Sequence, residues 1–124
     1  MHFHPGGQGF WVARMTKLLG AETSLCSVLG GESGQIVAMM LQAEGIEVRR
    51  VESGTANGGY IHDCHSGERE VVVSMASPQL SRHEIDDLYN LAVADGIAAG
   101  VAVLTGNAGD HVVPSEVYGR LAAD

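Results

Sequence analysis

Between Gln8 and Val51 the sequence switches repeatedly between two periodicities, and each switch falls on or beside glycine. From Gln8 to Leu19, Val12, Met15 and Leu19 fall on one stripe with Lys17 off it, the 3.6-residue repeat of an amphipathic helix. Gly20 stands where such a helix is capped. Thr23 to Leu29 is short, apolar and begins on a β-branched residue, which predicts a buried strand. Gly30-Gly31-Glu32-Ser33-Gly34 opens a second helix, where Ile36, Met40 and Ala43 share a face widened by Val37 and Leu41, and Gly45 closes it. Ile46 to Val51 reads as another strand, its apolar run interrupted by Arg49-Arg50. Helices alternating with buried strands imply an α/β fold, a parallel sheet with helices on its faces.

The middle of the chain breaks that rhythm. Ala56 to Asp63 and Arg69 to Ser74 read as a hairpin turning at His65-Ser66-Gly67-Glu68, and their charged positions predict a wet face on a small sheet outside the main layer. Ser81-Arg82-His83-Glu84 is a capping box, followed by Ile85, Leu88, Tyr89 and Ala92 at helical spacing. Gly100 to Thr105 predicts a short buried strand. Pro114 then starts a last helix carrying Val117, Tyr118 and Leu121.

A chain of 124 residues makes one domain. Its 45% hydrophobic content excludes disorder, and its apolar runs are too short to span a bilayer. Seven basic against fifteen acidic residues leave a net charge of −8, which argues against duplex nucleic acid or an anionic membrane as partner. Cys26 and Cys64 make no disulfide framework. With no charged-then-apolar leader at Met1, they read as reduced thiols of a cytoplasmic protein.

The glycine clusters carry the chemistry. Glycines ahead of a helix let a ligand approach the backbone, and the exposed amides with the helix dipole favour anions. A phosphate or a polyhydroxyl ligand is therefore compatible with Gly6-Gly7 and with Gly30-Gly31, although both also serve as plain α/β turns. Gly7-Gln8-Gly9 lacks the third glycine and the preceding strand of a dinucleotide fingerprint, and no Gly-Lys-Ser/Thr occurs. His62-Asp63-Cys64-His65 gathers metal-ligand types, but strand alternation sends His62 and Cys64 one way and Asp63 and His65 the other, so no metal site is expected. Cys26 reads as core, Met39-Met40 as core filler, Asp86-Asp87 as a solvated helix face, and His2 and His4 as exposed.

Four segments in order then resemble one family. His4-Pro5-Gly6-Gly7-Gln8-Gly9-Phe10-Trp11-Val12-Ala13-Arg14 is similar to the Pro-Gly-Gly-Lys-Gly-X-Asn-Val-Ala-Arg segment of the PfkB (ribokinase-like) carbohydrate kinases, particularly their phosphofructokinase branch. Leu18-Leu19-Gly20-Ala21 with Val28-Leu29-Gly30-Gly31-Glu32-Ser33-Gly34 resembles the next signature. Ala76-Ser77-Pro78 precedes a capped helix as in that family, and Val103-Leu104-Thr105-Gly106-Asn107 stands where the family has a strand ending in Ser-Gly-Ser.

The resemblance implies a partial ribokinase-like three-layer fold over residues 1–124, with lid strands around 46–74. It implies a sugar or sugar-phosphate acceptor beside Gly6, Gly7, Gln8, Trp11 and Asn107, with ATP and Mg2+ as the phosphoryl source. Gln8 replaces the family lysine, and Trp11 replaces an asparagine that faces the sugar. Asn107-Ala108-Gly109-Asp110 imitates the catalytic Gly-Ala-Gly-Asp signature and makes Asp110 a candidate base. Against this, Leu104 and Asn107 depart from that signature, and an Asp in a turn before a helix is usually structural. By length, the family's first strand would precede Met1, and its anion hole, base and adenine site would follow Asp124. The expectation is thus an acceptor-binding half with its lid, inactive alone. The alternative is a non-catalytic sugar-phosphate-binding module, or one completed by a homodimeric or complementing chain that covers an exposed sheet edge.

Overall fold

The computed structural model describes residues 2–106 and 112–124. In chain order it contains α1 (Gln8–Leu18), β1 (Ser24–Gly30), α2 (Gly31–Ala43), β2 (Glu47–Ser53), β3 (Gly59–Asp63), β4 (Glu70–Met75), α3 (Arg82–Ala99) and α4 (Ser115–Ala123). β1 and β2 pair in parallel with α2 as the crossover, and β3 and β4 pair antiparallel as a separate sheet. The α/β class and the small outlying sheet agree with the sequence reading, with strand boundaries displaced by one to a few residues, but residues 47–53, which the resemblance put among the lid strands, pair with β1 in the main sheet.

Strand alternation explains how the parallel sheet is covered. Leu25 and Val48 are register partners on one face, where they pack with Phe10 and Val37 around buried Ala13, Leu41 and Ile46. That face receives α1 and α2. Cys26 and Arg49, the next register pair, point the other way towards α3. There Cys26 Sγ donates to Asp95 at 3.3 Å, and Arg49 pairs with the same carboxylate at 3.4 Å. The arginine that interrupts the apolar run is thus the sheet's ionic tie to α3. Arg50, on the opposite face, pairs with Glu52 at 2.6 Å. The result is helix, sheet, helix, in three layers.

Helix ends follow the chemistry of their residues. α1 and α2 both close with bonds that skip back over a left-handed glycine: Ala21 N–H donates to Thr16 across Gly20 (φ 91°), and Ile46 N–H donates to Leu41 across Gly45 (φ 70°). Ser81 and Glu84 form the expected reciprocal capping box on α3, and Gly100 ends it in the left-handed region. α4 begins at Ser115, with Pro114 as its cap rather than its first residue. Its Arg120 lies 4.3 Å over the Tyr89 ring of α3, and the Tyr89 hydroxyl bonds Asp124.

Two expectations need correction. The 100–105 segment forms no strand, and Val101 and Val103 are exposed rather than buried. A strand exists only through its ladder, and among the described residues none pairs with this segment. The hairpin, expected to be wet on one face, is exposed at every position of β3 and β4. Neither strand touches any other described element, so no described element covers either face.

Candidate functional site

The amino-terminal turn is built on buried Pro5. Its carbonyl accepts a bond from Arg14 Nη1 at 3.1 Å, which holds the turn against the side of α1. Arg14 is itself fixed by a two-pronged pair with Glu44 at 2.5 and 2.8 Å. This pairing raises the arginine pKa and lowers that of Glu44. The guanidinium also lies 4.9 Å from the Trp11 ring centroid.

Above that anchor, Gly7 caps α1 at φ 114°, a conformation that strains any residue with a side chain. No side chain caps this helix end. Gly6, Gly7, Gln8 and Trp11 are all exposed and adjoin one another here, and a Cβ at Gly6 would meet nothing within 4 Å. The structure thus brings four of the sequence-predicted site residues to one open helix terminus. Asn107 and Asp110 lie outside the described residues.

The second glycine turn is different. A Cβ on Gly30 would lie 2.5 Å from the Ser53 carbonyl oxygen and closer still to that of Thr55, and one on Gly31 would lie 2.8 Å from Ala56. The space a ligand would need is filled by the chain's own 53–57 segment. Asn57 locks that segment. Its Oδ1 accepts from Gly30 N–H at 2.9 Å, its Nδ2 donates to the Val28 carbonyl at 3.0 Å, and its own carbonyl accepts from Ser33 Oγ at 3.0 Å. The Gly30-Gly31 pair is a packing device, not an anion cradle.

A groove of about 680 Å³ runs along the edge of β1 away from β2, walled by α1, α3 and the 100–106 segment. Gly9 lines it where a Cβ would lie 3.1 Å from Thr105 Oγ1 and 3.6 Å from Leu25 Cδ1. A smaller cavity of about 480 Å³ lies by Arg14, Lys17 and Glu44. Neither is lined by Gly6, Gly7, Gln8, Trp11 or Tyr60.

Among the described residues no three His, Cys, Asp or Glu side chains are grouped to hold a metal ion. No helix of the described residues is long and apolar enough to cross a membrane. Cys26 borders the groove, but burial and the bond to Asp95 push its thiol up to about 12, so it is no nucleophile. Sequence reasoning missed Arg14 as a strut, Asp95 as a tie and Asn57 as a clamp. Asn57 sits in a Thr-Ala-Asn-Gly-Gly run that reads as an ordinary turn, and only its distant partner Gly30 reveals its work.

A family model described as pfkB family carbohydrate kinase matches residues 1–113. The chain belongs to this family. The pfkB chain is also similar in fold to solved phosphofructokinases. Escherichia coli phosphofructokinase-2 in complex with fructose-6-phosphate is 29% identical with a TM-score of 0.63, the match covering 75% of this chain and 31% of that one. A Staphylococcus aureus protein assigned as a phosphofructokinase gives 0.69 at 18% identity over 95% of this chain and 37% of its own. A Thermotoga maritima protein assigned as a 1-phosphofructokinase gives 0.61 at 18% over 73% and 30%. The pfkB chain thus spans about a third of the length of these relatives. No curated protein matches it.

Proposed function

We propose that this pfkB chain is the acceptor-binding part and lid of an ATP-dependent sugar or sugar-phosphate kinase, acting in the cytoplasm and transferring no phosphate by itself. The open α1 terminus at Gly6-Gly7 carries the reading. It leaves backbone amides and the positive end of a helix facing solvent, on a frame that resembles a protein solved with fructose-6-phosphate. Gly6 and Gly7 admit a polyol to the main chain. Gln8 and Trp11 supply a neutral amide and an indole where the resemblance leads one to expect a lysine and an asparagine, so recognition rests on backbone amides more than on side-chain charge.

ATP with Mg2+ is the phosphoryl source the family implies. The described residues do not fit that group, because they offer no cluster of metal-ligating side chains to hold the ion. Calorimetric titration of the chain with fructose 6-phosphate tests acceptor binding. Saturable heat that Gly6→Val abolishes supports the proposal, and its absence overturns it. ATP-dependent phosphorylation of that sugar by the chain alone, read in a coupled assay, would overturn the statement that it is inactive.

The second reading, a module completed by another chain, is favoured by the edge of β1 along the groove, which no described strand pairs, and by the hairpin, which no described element covers. Tyr60, Ile61, Val72 and Met75 are each more than half exposed there. Sedimentation velocity tests it. A homodimer or a complex with a complementing chain supports it, and a persistent monomer that binds sugar phosphate counts against it.

A further inference from the structure

Because β3 and β4 touch no other described element, the attitude of the hairpin is set entirely by the two segments that carry it, 54–58 and 76–81. Both are gripped from the body side. On the incoming segment, Asn57 bonds Gly30 N–H, the Val28 carbonyl and Ser33 Oγ, and its own N–H donates to the Gly30 carbonyl at 3.3 Å. On the outgoing segment, Glu84 of α3 accepts from the Ser81 N–H at 2.7 Å and the Ser81 hydroxyl at 2.6 Å. Each stem is thus held to the body by its own clamp, the incoming one by Asn57 and the outgoing one by Glu84. Just beyond these grips the stems touch. A Cβ at Gly58 would lie 2.6 Å from both the Met75 carbonyl oxygen and the Ser77 nitrogen.

We propose that Asn57 and Glu84 are positioning residues, a collar around both stems that fixes the angle at which the hairpin stands over the body. The collar serves the acceptor-binding reading above, since a lid closes on a sugar only from a defined angle. Neither residue touches the open α1 terminus. Any effect they have on acceptor binding passes through the hairpin, and the main-chain grip on Gly30 gives the filled second glycine turn its purpose.

Cys64 is exposed in the hairpin turn and Cys26 is half-buried and held as a thiol, so a nitroxide placed on Cys64 reports the hairpin. A second label at Gln42→Cys on exposed α2 reports the body. Double electron–electron resonance on the sugar-free chain is expected to give one narrow distance distribution. Asn57→Ala at least doubles its width, and Glu84→Gln broadens it as well. Asn57→Asp, which keeps the oxygen for Gly30 N–H and loses the donor to Val28, gives an intermediate width. Arg14→Ala breaks a tie of α1 to the end of α2 and leaves the width unchanged. Unchanged width in the folded Asn57→Ala and Glu84→Gln chains overturns the collar, as does equal broadening in Arg14→Ala. If Asn57→Ala fails to fold, Asn57→Asp and Glu84→Gln decide by the same readout. Fructose 6-phosphate affinity is expected to fall about fivefold in Asn57→Ala. A chain with no saturable sugar heat whose distribution still broadens keeps the collar and loses only the acceptor reading.

Discussion

Replacing Gly30 by alanine separates a glycine that packs from one that binds. The new Cβ would stand 2.5 Å from the Ser53 carbonyl oxygen and 2.8 Å from Ser53 Cβ, with the Thr55 carbonyl oxygen nearer still. The nearest atoms are backbone, so the 53–55 segment must move bodily. Overpacking of this kind costs about 1–3 kcal/mol. The shift also strains the two Gly30–Asn57 hydrogen bonds, each worth about 0.5–1.5 kcal/mol net. Restricting the unfolded chain returns about 0.4–1 kcal/mol. The balance is a loss of about 2–4 kcal/mol, a large part of the roughly 5–15 kcal/mol of a whole domain. Gly6→Ala is the matched control, since its Cβ meets nothing within 4 Å, and it should change stability by less than about 1 kcal/mol in either direction. Urea unfolding followed by far-UV circular dichroism reads both from the midpoint at constant slope. A Gly30→Ala chain within about 0.5 kcal/mol of the parent, or a Gly6→Ala chain losing as much as Gly30→Ala, would refute the assignment of the second turn to packing.

Other expectations concern the thiols, the capping carboxylate and the hairpin. At pH 8 iodoacetamide should alkylate exposed Cys64 and leave Cys26, whose thiol is pushed up to about 12, until the chain is unfolded; peptide mass mapping checks this, and Asp95→Ala should speed Cys26 labelling by removing the bond that holds its proton. Glu84 is held down to about 2 by its bonds to Ser53 and Ser81, so its stabilising contribution is complete above the ordinary glutamate value and fades as pH falls towards about 2. Melting temperatures taken through that window should therefore fall more steeply for the parent than for Glu84→Gln. Ile61→Lys should leave the melting temperature nearly unchanged, because Ile61 lies on an exposed hairpin that touches no other described element, and should weaken any self-association seen by sedimentation.

What the residues disclose by themselves is what depends on near neighbours. The helices, their glycine closures and the Ser81–Glu84 box are governed by contacts a few positions apart, and they stand within a residue of where the spacing placed them. The hairpin turn was equally local. The 100–105 segment failed for the opposite reason: its composition suits a strand, but composition cannot supply the neighbouring ladder that makes one. Arg49 looked like a flaw in β2 until Asp95 arrived from α3 to pair with it. Of the candidate site, Gly6 and Gly7 were legible because glycines before a helix advertise an open backbone, and Gln8 and Trp11 only through the family resemblance. The filling of the second turn was not, since the same glycines serve a ligand or a clamp and only Asn57's position distinguishes them.

α3 has no buried residue, yet it runs for 18 residues. Its persistence owes much to the Ser81–Glu84 lock at one end and Gly100 at the other, and less to what it leans against. A segment so self-sufficient keeps residual order when its neighbours melt. A synthetic peptide spanning 80–101 should therefore show measurable helicity in water, and during refolding this element should gain its protected amides before the parallel ladder between β1 and β2.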